Sequence, residues 1–109
     1  MSLNVSELAT KMLDAAKGVL SEKWPEIQDY AETETKKLAE SLVMIEKLKL
    51  AGRINEEQAK LHFDIQKNAA RTVLLTVEGL GILAVEQALN AASAVVKDAV
   101  NTAVGFHLL

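Results

Sequence analysis

The stretch "AGRINEEQ", residues 51–58, decides how the chain folds. Gly52 follows a long apolar-periodic run, and glycine is the residue that most readily takes the left-handed conformation ending a helix. Asn55 and Gln58 stand at the spacing of a capping box, with Ile54 just before the cap. One helix therefore stops near Ala51 and another starts at Glu56. A link this short forces the two to pack antiparallel.

The arm before this turn holds two amphipathic segments. In 4–20, Val5, Leu8, Met12, Ala15 and Val19 form a stripe, flanked by Ala9, Leu13, Ala16 and Leu20. Asn4 or Ser6 is suited to cap its start. In 22–51, Trp24, Ile27, Ala31, Leu38, Leu42, Ile45 and Leu48 share one side. Glu34 falls inside that stripe, where an acid needs a partner or an exposed edge. Between the segments, "GVLSEKWP" (18–25) marks a break or a kink. Gly18 is a candidate helix end, Ser21 a candidate cap, and Pro25 suits a first turn, where its missing N–H costs little.

The arm after the turn has no proline, and only "EGLG" (78–81) interrupts its helical pattern. Read as one helix, 56–104 would extend about 70 Å at ~1.5 Å per residue. Antiparallel pairing across the turn sets residue i opposite about 107 − i, which brings Pro25 level with Leu80–Ile82. Either the whole hairpin bends there, or both arms fold back into a four-helix bundle. The expected fold is all-α: a single domain over 1–109 with helices roughly at 4–20, 22–51, 56–78 and 82–104. The third and fourth are separate or one continuous helix. Composition agrees, since 50% of residues are hydrophobic but only 4% aromatic, with a single proline.

Charge is distributed unevenly. Of the 12 basic and 15 acidic side chains, only Glu78, Glu86, Lys97 and Asp98 lie beyond Arg71. A C-terminal third so poor in charge must be covered by something. At 100° per residue, Gly81, Val85, Ala88, Ala92, Val95 and Ala99 fall on one line, and Val77 precedes it by one turn. A seam of small residues admits a close helix partner, so these positions form the candidate interface. Opposite lies a polar strip of Thr72, Thr76, Glu86, Gln87, Asn90, Ser93, Lys97 and Asn101, on which Glu86 is expected to be solvated. Glu78 ends a charged flank formed by Lys60, Asp64, Lys67 and Arg71, and is expected to be an edge carboxylate paired with a cation from a neighbouring helix or a partner chain. The hairpin register pairs Arg71 with Glu34. Glu34, Arg71 and Glu78 are thus the candidate buried polar residues.

Several chemistries lack their residues. Without cysteine there is no disulfide, thiolate metal site or Cys nucleophile. Neither His62 nor His107 has a glutamate three residues earlier, as a di-metal helical bundle requires. Nucleophile-elbow, P-loop and dinucleotide motifs do not occur, and "EGLG" has neither a preceding strand nor a following lysine. A net charge of −3 with no basic face argues against nucleic acid. Residues 72–96 are long enough to span a bilayer, but Glu78 and Glu86 would each cost about 2.5–3.5 kcal/mol near its centre.

The expectation is a cytoplasmic, non-enzymatic helical module without catalytic, cofactor or metal residues. It self-associates, as a dimer in the first instance, and serves as a structural or protein–protein interaction element, with another protein as a further partner. The alternative is a helical bundle that binds a membrane surface or an apolar ligand.

Overall fold

A computed structural model describes residues 3–109. The chain forms four helices, α1 (Val5–Val19), α2 (Trp24–Leu50), α3 (Glu56–Leu75) and α4 (Ile82–Val104). No strand occurs among the described residues. Of the two arrangements the hairpin allows, both arms fold back, and the result is a four-helix bundle. Direction alternates along the chain. The Leu3 amide reaches Glu46 near the end of α2, and Arg71 near the end of α3 reaches Glu86 near the start of α4. Consequently α1 packs antiparallel on α2 and α4, while α3 lies between α2 and α4 on the far side.

The turn of residues 51–58 forms as its residues dictate. Gly52 adopts a φ of +69°, the Arg53 amide donates to the Leu48 carbonyl, and the Gly52 amide donates to that of Lys49. This closes α2 with the paired bonds of a Schellman end. Asn55 Oδ1 then accepts from the Gln58 amide at 2.8 Å, and Gln58 Oε1 accepts from the Asn55 amide at 3.0 Å. At the other end of the arm, Asn4 caps α1 through the Glu7 amide.

Gly18 does not end α1. The helix runs on to Val19, with the Leu20 amide still donating to the Ala16 carbonyl. A short 3-10 turn, Ser21–Lys23, leads into α2 with Pro25 in its first turn, and Lys23 rather than Ser21 is the cap. The second break is complete. α3 ends at Leu75, three residues short of the expected 78, and the chain turns through Thr76–Leu80 before Gly81 caps α4. Gly79 takes a φ of +82° in this turn, and Leu80 is buried beneath it. At the C-terminus, the Leu108 and Leu109 amides donate to Asn101 Oδ1, so the apolar tail folds back and buries Leu108.

The core is built mainly from aliphatic side chains, with Met12, Ile27, Leu42, Ile45, Val85, Val96 and Val100 fully enclosed. Burying side chains of this kind contributes roughly 1.5–3 kcal/mol each. No described helix is long and apolar enough to cross a membrane.

Candidate functional site

The candidate interface residues of α4 separate into two groups. Val85, Ala88 and Ala92 are buried within the chain, whereas Gly81, Val95 and Ala99 are exposed and Val77 is half-buried in the turn. The buried line of α4 continues instead through Val96, Val100 and Val104. α1 supplies the close partner, and α4 is the helix on which it packs most extensively. Ala99 and Ala103 border a shallow groove of about 150 Å³ beside Leu3, Glu7, Leu8 and Lys11 of the neighbouring N-terminal region.

The expected pairing of Glu34 with Arg71 is not made. Arg71 Nε lies 2.9 and 3.0 Å from the two carboxylate oxygens of Glu86, and its Nη1 bonds Asn68. Glu86 therefore leaves the solvated strip assigned to it and clamps α3 to α4, half-buried. Glu34 stays inside the bundle, 5% exposed, with Lys37 of its own helix at 3.4 Å. Beside it a void of about 20 Å³ opens between Ala16, Leu20, Leu38, Leu74 and Ala88. Glu78 is exposed in the turn and makes no ion pair among the described residues, although Lys23 borders the same surface hollow and pairs with Glu26.

Three further polar groups lie inside. Glu46 is 2% exposed: its Oε1 accepts from the Leu3 amide, while Oε2 has no hydrogen-bond partner among the described residues. Ser41 Oγ and His62 Nδ1 are likewise buried and unpartnered. They are therefore not hydrogen-bonded to each other, as a hydroxyl nucleophile and its base would be. Among the described residues, no three acidic or imidazole groups converge as a metal site would require.

What the sequence reading passed over is the outer face of α3. Leu61, Ile65, Asn68 and Thr72 lie opposite the buried Phe63, Ala70 and Leu74 on the helical wheel. Leu61 is 62% exposed and Ile65 56%. By the hairpin register, exposed Met44 of α2 stands level with them. The signal was present in the one-turn spacing of Leu61 and Ile65, out of phase with Ala59, Phe63 and Ala70. No protein family, curated protein or solved structure matches the chain.

Proposed function

We propose that this chain is a non-enzymatic, self-associating helical-bundle module that works as a structural or protein–protein interaction element. The outer face of α3 carries this reading. Leu61 and Ile65 present adjacent aliphatic surface to solvent on a helix whose opposite face already fills the core. Removing such side chains from water is the main favourable term in association, and a second protein surface is the natural cover. Light scattering across a dilution series tests the reading. A mass that rises with concentration supports it, and the mass of a single chain throughout contradicts it.

A second reading, binding to a membrane surface, draws on Ile82 and Leu83. They lie next to each other at the start of α4, 63% and 69% exposed. Flotation with anionic liposomes separates the two readings, because membrane binding predicts that the folded protein rises with the vesicles. The remaining option, an apolar ligand held inside, would require the helices to part, because the void beside Glu34 is only water-sized.

A further inference from the structure

Four charged side chains on one flank of α3 form a pattern opposite in sign to its own reverse, while Arg71 of the same flank is taken by Glu86. On the side of the helix that turns toward α4 run Glu57-x-x-Lys60-x-x-x-Asp64-x-x-Lys67. Reversal about His62 exchanges Glu57 with Lys67 and Lys60 with Asp64, so every acid falls on a base. The same reversal brings Leu61 level with position 63, two residues from Ile65 on the outer face. The other flank, with Gln58, Gln66, Ala69 and Val73, carries no Asp, Glu, Lys or Arg.

We propose that α3 is the dimerisation helix. Two copies pack antiparallel through its outer face about a two-fold axis near His62. Leu61 and Ile65 of both copies meet at the centre, and Glu57–Lys67 and Lys60–Asp64 pairs form along one edge. A two-fold axis between antiparallel helices brings each flank against its own counterpart, so the charged flank meets a charged flank in complementary register. A parallel pair would set it against the uncharged flank and leave the pattern unused. The groups are free to take these partners. Asp64 makes no ion pair among the described residues, and Lys60 is held only by Glu56, at 3.1 Å, in an exposed pair for which water competes. By the hairpin register, exposed Met44 of α2 stands level with the same region.

The proposal rests on self-association and adds which helix, orientation and register bring it about. Sedimentation equilibrium of the full chain at low salt tests it, with circular dichroism confirming that each variant is folded. Ile65→Glu is expected to abolish the dimer. Asp64→Lys sets like charges together twice across the axis and should weaken dimerisation about tenfold or more. The exchanged variant Lys60→Asp/Asp64→Lys should recover most of that loss. Wild-type dimerisation left unchanged by Ile65→Glu and Asp64→Lys would overturn the assignment to α3 while leaving self-association standing. A weakened Asp64→Lys variant that the exchange does not rescue would overturn the antiparallel register. A wild-type chain that stays single at every concentration would remove the underlying reading as well.

Discussion

Glu34 is a buried acid whose nearest cation comes from its own helix. Its carboxylate lies inside the bundle with one cation nearby, and that ammonium belongs to Lys37, a largely exposed side chain of the same helix. Desolvating a charge in this way costs more than a single mobile partner returns. Glu34→Met, similar in size and uncharged, is expected to stabilise the fold by about 1 kcal/mol, with a rise of several degrees in Tm. A lower Tm would show that the carboxylate serves a purpose beyond packing. The Arg71–Glu86 pair has the opposite sign of effect, because both oxygens of the acid are engaged and the partners belong to different helices. Arg71→Met should cost about 1 kcal/mol, an amount kept small by the partial exposure of both groups. A double-mutant cycle with Glu86→Gln in urea unfolding should be non-additive, and strict additivity would deny the coupling.

At the scale of elements, the break between α3 and α4 is made by Gly79, not by Gly81. A Cβ on Gly79 would sit in a left-handed conformation only 3.1 Å from Lys23 Nζ, whereas Gly81 has an ordinary φ and open space around it. Gly79→Ala should therefore destabilise by about 1 kcal/mol or more, and Gly81→Ser, a good cap residue, should change stability by only a few tenths. Equal losses at both positions would contradict this account of the turn. The contrast also explains which elements were legible in the sequence. The 51–58 turn was readable because capping bonds act locally, whereas Pro25 left a break and a kink equally open, and α2 starts at Trp24. The second break was marked by "EGLG", but the end of α3 at Leu75 rests also on remote contacts, the burial of Leu80 and the Arg71–Glu86 clamp. The α4 seam is divided between buried and exposed residues for a geometric reason. Its buried side chains follow four-residue steps from Ala92 through Val96 and Val100 to Val104, the ridge spacing of packed helices, which leaves Val95 and Ala99 at the surface.

For the whole molecule, the charge-poor C-terminal third did need a cover, and α1 provides it within the chain. Exposed apolar side chains remain at Ile82, Leu83 and Val95 of α4, and a second patch lies on the outside of α3. Composition alone could not place it, since Leu61 and Ile65 belong to the charge-rich part of the sequence. Because both are exposed, Leu61→Lys and Ile65→Glu should shift folding stability by no more than about 0.5 kcal/mol while removing self-association. A large loss of stability in either would place that residue in the core instead. The most direct measurement is sedimentation equilibrium of the wild-type chain and Ile65→Glu over a wide range of concentration. The account predicts that the wild-type mass climbs from one chain toward two while the variant, equally well folded, stays at one. A wild-type mass fixed at one chain throughout would contradict it.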